Sequence, residues 1–101
     1  MKLFVFQCRD GEHSAALRGE VLAAHLAYIE TNIDYFAIAG PLKDGERTVG
    51  SLIVIKAKDA AEARARFEAD PYFAAGVWEK VSVDEFLGLA GDWVGGAAWK
   101  N

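Results

Sequence analysis

Apolar residues crowd Leu3 to Cys8 and then give way to the polar run Arg9-Asp10-Gly11-Glu12-His13-Ser14. A short block rich in aromatic and β-branched residues, closed by turn formers, predicts a strand and a turn. From Ser14 to Asn32 the apolar positions become periodic. Leu22, Leu26, Ile29 and Ile33 recur at helical spacing, which predicts a long helix with these four as its buried stripe. Tyr35 to Gly40 reads as a second strand, ended by Gly40-Pro41. Lys43-Asp44-Gly45-Glu46-Arg47 reads as a hairpin loop with Asp44-Gly45 at its turn. The run Leu52-Ile53-Val54-Ile55 centres a third strand from Val49 to Ala57.

Asp59 heads a second helix, with Glu62 three residues later as a capping box requires. Ala60, Ala63 and Phe67 are spaced to face inward. Asp70-Pro71-Tyr72-Phe73-Ala74-Ala75-Gly76 then reads as one short helical turn. Asp suits the N-cap, Pro the first helical position and Gly the residue past the end. Val77 to Val83 forms a fourth strand. The segment from Asp84 to Asn101 is glycine-rich but carries Phe86, Leu87, Leu89, Trp93, Val94 and Trp99.

The order β-α-β-β-α-β predicts an α+β, ferredoxin-like domain: one antiparallel sheet with two helices on one face. A sheet with one wet face should alternate apolar and polar residues. These strands do not. Leu3 and Val5 point one way and Phe4 and Phe6 the other; Leu52 and Val54 oppose Ile53 and Ile55. The second face therefore needs a cover, and the simplest is the same sheet from a second copy, packed face to face in a homodimer.

Composition narrows the function. The 101 residues suit one domain, with a core at about 1–86 and an apolar, glycine-rich extension at 87–101. The net charge is −4 and no basic face appears, which argues against nucleic acid. No apolar run approaches the roughly 20 residues that span a bilayer. The N-terminal strand turns polar at Gln7 and Arg9, too early for a secretory segment, so a cytoplasmic location is the default expectation. Cys8 is the single cysteine, which excludes an intrachain disulfide and a cysteine-based metal site.

His25 falls on the shoulder of the apolar stripe, with Arg18 seven residues earlier on nearly the same line. A half-buried histidine there either bonds a backbone carbonyl or serves as a tuned acid–base group. Asp70 is complete as a helix cap, yet a cap also holds a carboxylate still beside the helix dipole, where it could orient a histidine. Ser51 is a strand-edge hydroxyl or a ligand contact; no nucleophile elbow supports it as a nucleophile. Gly40-Pro41-Leu42 ends a strand or lets a ligand approach the backbone. His13 and His25 lie far apart, so no metal is expected. Trp93 and Trp99 read as packing anchors.

The ordered set of residues resembles the YCII-related (YciI-like) family. The resemblance rests on Arg18 with His25-Leu26, Ala39-Gly40-Pro41-Leu42, Gly50-Ser51, Ala69-Asp70-Pro71-Tyr72, Ala75-Gly76-Val77, and Val81-Ser82-Val83 through Phe86. It implies a dimeric α+β barrel and a pocket faced by a catalytic pair matching His25 and Asp70. Arg18, Gly40, Pro41, Ser51 and Tyr72 match recurring positions around that pocket, as substrate-binding residues. A dehydrochlorinase of chlorinated hydroxyhydroquinone breakdown looks like a relative, and muconolactone isomerase shares the barrel type. The loop between Leu42 and Gly50 is shorter than in the best-known members, and residues 87–101 have no counterpart.

The expectation is cofactor-independent acid–base chemistry, a lyase or isomerase reaction, on a small ring-shaped or enolisable anion. His25 moves the proton, Asp70 orients it and Arg18 holds an anionic group. The alternatives are a small-molecule-binding or interaction dimer without catalysis and, more weakly, a structural accessory module, since one fold hosts many functions.

Overall fold

Alternation along the first strand sets the architecture. In β1 (Lys2–Asp10), Phe4, Phe6 and Cys8 are buried on one face, while Leu3, Val5 and Gln7 face the other way. The computed structural model describes residues 1–100. β2 (Phe36–Asp44), β3 (Arg47–Ala57) and β4 (Trp78–Phe86) complete a four-stranded antiparallel sheet in the order β2-β3-β1-β4. α1 (Ser14–Thr31), α2 (Ala60–Glu68) and the single turn α3 (Pro71–Ala74) all cover the Phe4-Phe6-Cys8 face. The fold is therefore α+β and ferredoxin-like, the protomer type of the dimeric α+β barrels.

The register places Phe4 opposite Ile55, Phe6 opposite Ile53 and Cys8 opposite Ser51, so one row of side chains meets the helices. Phe6 stacks on Phe67 of α2 with ring centroids 4.3 Å apart, and Phe67 stacks on Trp78 at 5.1 Å. Each fully buried aromatic contributes about 1.5–3 kcal/mol of apolar transfer, so this column ties α2 to the sheet. α2 opens as expected: Asp59 accepts the Glu62 amide at 2.9 Å. Ala63 and Phe67 are buried, but Ala60 is exposed, because the helix presents only the later two to the sheet.

α1 turns a different face to the sheet from the one its apolar spacing predicts. Leu22 and Leu26 are 46% and 49% exposed, and Ile33 lies outside the helix, exposed in a 3-10 turn (Ile33–Tyr35). The face turned to the sheet carries Ser14, Leu17, Val21, His25 and Tyr28 instead. Polar anchors set this rotation. The Ser14 hydroxyl donates to the carbonyl of Val77, Tyr28 Oη to the carbonyl of Arg66 at 2.5 Å, and His25 meets Asp70. The backbone departs from helical angles at Val21, which marks a kink.

Three strands outrun their predicted ends, β1 by continuing through Arg9 to Asp10. β2 continues through Gly40-Pro41 to Asp44, with Pro41 opposite Ser51. β2 is an edge strand, where a residue lacking an N–H is tolerated. β4 runs to Phe86, so Asp84 to Phe86 belong to the sheet. The remaining segment folds as a small ribbon, β5 (Ala90–Gly91) with β6 (Gly96–Ala97). Trp93 and Trp99 are 85% and 71% exposed, so neither anchors packing within this chain. The face away from the helices is an open apolar groove of about 1000 Å³ lined by residues that include Leu3, Val5, Ile38, Leu52, Phe86 and Trp93.

Candidate active site

The capped turn at α3 brings helix and carboxylate together. Asp70 sits in extended backbone conformation at the N-cap, and its Oδ1 accepts the Tyr72 amide at 2.9 Å. The same Oδ1 lies 2.7 Å from His25 Nδ1. Asp70 is 2% exposed, whereas the His25 side chain keeps 16% exposure. Asp70 Oδ2 is buried and, among the described residues, has no partner. An ionised carboxylate only accepts, so Nδ1 carries the proton of this bond and Nε2 of a neutral imidazole keeps its lone pair. The capping and histidine-orienting geometries thus coexist on one oxygen.

Tyr72 holds the imidazole from the side. Its ring stacks on His25 with centroids 3.7 Å apart and planes within 6°. Its hydroxyl donates to the Arg18 carbonyl at 3.3 Å, and the Arg18 guanidinium lies 5.4 Å from the ring centroid. Burial pushes the Tyr72 phenol up, partly offset by the Arg18 charge. The tyrosine therefore stays neutral and acts as a wall.

Arg18 is fixed by a second carboxylate that the sequence patterns did not single out. Its Nε and Nη2 meet Asp10 Oδ2 and Oδ1 at 2.8 and 2.9 Å, a bidentate pair. Nη2 also reaches the Gly50 carbonyl at 3.1 Å and Ser51 Oγ at 2.9 Å. Burial opposes the charge on Arg18, but the hydrogen bonds and charge of Asp10 outweigh it and raise its pKa. Asp10 is aimed by a register shift at the end of β1, between Arg9 and Asp10. Such a bulge re-aims a side chain. A polar residue in a turn carries no spacing signal for this role. Trp78 was also missed: its indole donates to Ser51 Oγ at 3.1 Å.

These groups border one cleft of about 300 Å³ between α1 and the β2–β3 edge. Arg18, His25, Ser51 and Tyr72 form its polar side and floor; Gly40 and Pro41 contribute the β2 wall. Leu22, Leu26 and Ile29 close the third side, so the leucines expected in the core line the cleft. Of the residues singled out from sequence, Asp70 alone stands behind the wall, touching the cleft through His25. His13 and Cys8 lie elsewhere: His13 is exposed, and Cys8 is buried in the core. Among the described residues, no three His, Cys, Asp or Glu side chains are grouped to hold a metal, and no helix is long and apolar enough to cross a membrane.

The arrangement offers one acceptor nitrogen, backed by a carboxylate, across from a guanidinium and a hydroxyl. That combination can take a proton from a bound molecule and stabilise the negative charge that results.

Known proteins resemble the chain over most of its length. The model of the YCII-related domain matches residues 2–87. Protein YciI of Escherichia coli O6:H1 is 33% identical over 93 residues, covering 83% of this chain and 95% of the relative. Protein YciI of Shigella flexneri matches at the same identity and coverage. Among solved structures, 5-chloro-2-hydroxyhydroquinone dehydrochlorinase (TftG) from Burkholderia phenoliruptrix, in complex with 2,5-dihydroxybenzoquinone, superposes with a TM-score of 0.75. It is 27% identical and covers 89% of this chain and 96% of that one.

Proposed function

The chain belongs to the YCII-related domain family, and from that footing we propose that it is a cofactor-independent acid–base enzyme of lyase or isomerase type. Its substrate is a small ring-shaped or enolisable anion bound between α1 and the β2–β3 edge. The observation that carries this reading is the 2.7 Å bond between His25 Nδ1 and Asp70 Oδ1, beside the cleft that Arg18 and Ser51 also line. A volume of about 300 Å³ suits one six-membered ring with short substituents.

In this scheme His25 Nε2 takes a proton from a carbon next to a carbonyl group, or from a ring hydroxyl. The electron pair of that bond moves onto the ring, and negative charge collects on the oxygen held by Arg18. Asp70 stabilises the imidazolium so formed, as an oriented carboxylate does. Collapse of the enolate either expels a leaving group such as chloride or returns the proton at another carbon. The first outcome is the one that the name of the Burkholderia relative describes for that enzyme.

We also assign the open groove of the sheet to a second copy of the chain. Leu3, Val5, Leu52 and Phe86 make that face too apolar for a solvated one, and Val94 and Trp93 extend it from the C-terminal ribbon.

The test is incubation with a panel of enolisable ring compounds, 5-chloro-2-hydroxyhydroquinone among them, in deuterated water. Deuterium uptake or chloride release by the protein, lost in His25→Ala and in Asp70→Ala, supports the reading. Uptake of 2,5-dihydroxybenzoquinone with no exchange or release from any panel member favours a binding protein without catalysis.

A further inference from the structure

Ser51 is pinned by two groups that can only donate. Arg18 Nη2 lies 2.9 Å from its Oγ, and Trp78 Nε1 lies 3.1 Å from the same atom. A guanidinium and an indole N–H have no acceptor capacity, so the hydroxyl accepts from both, with Nη2 dividing its two hydrogens among Ser51, Asp10 and Gly50. Its own proton remains to be donated. Among the described residues, no protein acceptor lies in hydrogen-bond reach of that proton, although the residue is only 5% exposed and borders the cleft. The Nη1 amine of Arg18 is likewise without a protein acceptor, since Asp10, Gly50 and Ser51 use only Nε and Nη2.

From this pattern we infer that Trp78 is a positioning residue that locks Ser51 as a hydrogen-bond donor, making this end of the cleft accept only carbonyl or oxyanion groups. Ser51 and Arg18 meet a ligand hydroxyl with donors alone, so its proton finds no partner in either and can pass only to His25 Nε2 of the same cleft. A deprotonated oxygen takes the Ser51 proton and the Arg18 amine together. The buried, uncompensated donors that remain when the wrong group is bound are what makes such a site selective. Trp78 can act this way because it is itself held: it is 8% exposed, stacked on Phe67, with Tyr72 edge-on at 5.8 Å. The inference rests on the proposed ligand cleft and adds the ionisation state of the group it takes.

A chromogenic phenol tests it. 4-Nitrophenol changes its visible spectrum on ionisation, so titration of dye with protein at several pH values reads the state of the bound oxygen directly. The wild-type protein is expected to hold the phenolate and to lower the apparent ionisation pH of the bound dye relative to the free dye. Loss of one donor to a charged acceptor predicts a preference for phenolate over phenol about tenfold weaker in Ser51→Ala. Trp78→Phe keeps an aromatic ring in the stack but frees one Ser51 lone pair, so the hydroxyl can accept. It is expected to narrow the same preference while leaving a cooperative thermal transition. Should Trp78→Phe fail to fold, the indole Nε1–H signal of Trp78 in ¹⁵N–¹H NMR takes its place: it should move in Ser51→Ala, and an unmoved signal overturns the proposal. Equal weakening of phenol and phenolate in both variants overturns the proposal, because it is what a purely structural role predicts. A wild-type protein that takes up 2,5-dihydroxybenzoquinone but shows no phenolate preference also overturns it, while the reading of the cleft stands. A protein that takes up neither compound removes both.

Discussion

His25 Nδ1 and the Tyr72 amide share a single oxygen of Asp70, at 2.7 and 2.9 Å. The helix cap and the histidine orienter are therefore the same atom. Capping fixes the carboxylate rotamer, and the fixed rotamer fixes the imidazole, while Tyr72 confines the ring from its face. The second oxygen is buried and, among the described residues, has no partner.

Asp70→Asn separates the two roles. Asparagine caps about as well as aspartate, so thermal stability should change by less than about 1 kcal/mol. Asp70→Ala, which loses the cap, should cost about 0.5–2 kcal/mol. The neutral amide no longer demands a proton on Nδ1, so the His25 tautomer population should shift. Long-range ¹⁵N–¹H NMR of the imidazole reads it, and an unchanged tautomer in Asp70→Asn would count against the pairing.

Tyr72 acts through its ring more than its hydroxyl. Tyr72→Phe keeps the stack on His25 and loses one 3.3 Å bond to the Arg18 carbonyl, for about 0.5–1.5 kcal/mol. Tyr72→Ala removes a buried aromatic and should cost about 3–5 kcal/mol. Chemical denaturation distinguishes the two, and comparable losses would show that the hydroxyl, not the stack, holds this wall.

Gly50 is required by a close approach of strands. A Cβ built there would lie 2.1 Å from the Cys8 carbonyl oxygen, so β1 and β3 must part to admit it. Because the Gly50 carbonyl also accepts from Arg18, the strain reaches the cleft. Gly50→Ala should destabilise by about 1–3 kcal/mol and weaken anion uptake; Gly40→Ala, with open space at its Cβ, should leave stability nearly unchanged.

Burial pushes the Cys8 thiol up from 9.0 to about 12. A raised folded-state pKa means the folded protein keeps its proton where the unfolded chain loses it. The stabilisation is full below pH 9.0 and is lost progressively as pH rises toward about 12. Burial raises the Tyr28 and Tyr72 phenols as well, which adds a loss of the same sign above pH 10.0. Denaturation midpoints should therefore fall through this alkaline window. Iodoacetamide should label Cys8 in denaturant but not in the native protein; rapid native labelling would contradict its burial.

Much of this was legible in the residues because short-range chemistry carries it. The Asp59 and Asp70 caps, the strand runs and the two-faced sheet follow from local spacing, and each has a named consequence in the fold. The face of α1 was not legible. Periodicity ranks Leu22 and Leu26 above Ser14 and Tyr28, yet specific bonds from the polar residues rotate the helix and leave the leucines to line a cleft. The Arg18 clamp was hidden for a different reason. Asp10, Gly50 and Trp78 come from three strands, and only the register of the sheet brings them to one guanidinium and its serine.

Solvent deuterium exchange into an enolisable ring compound, measured for wild-type protein and Asp70→Asn at equal ligand occupancy, tests the central claim most directly. General acid–base catalysis by an oriented histidine predicts exchange by the wild type and a fall of about a hundredfold or more in the variant. Equal exchange rates in the two proteins would contradict it.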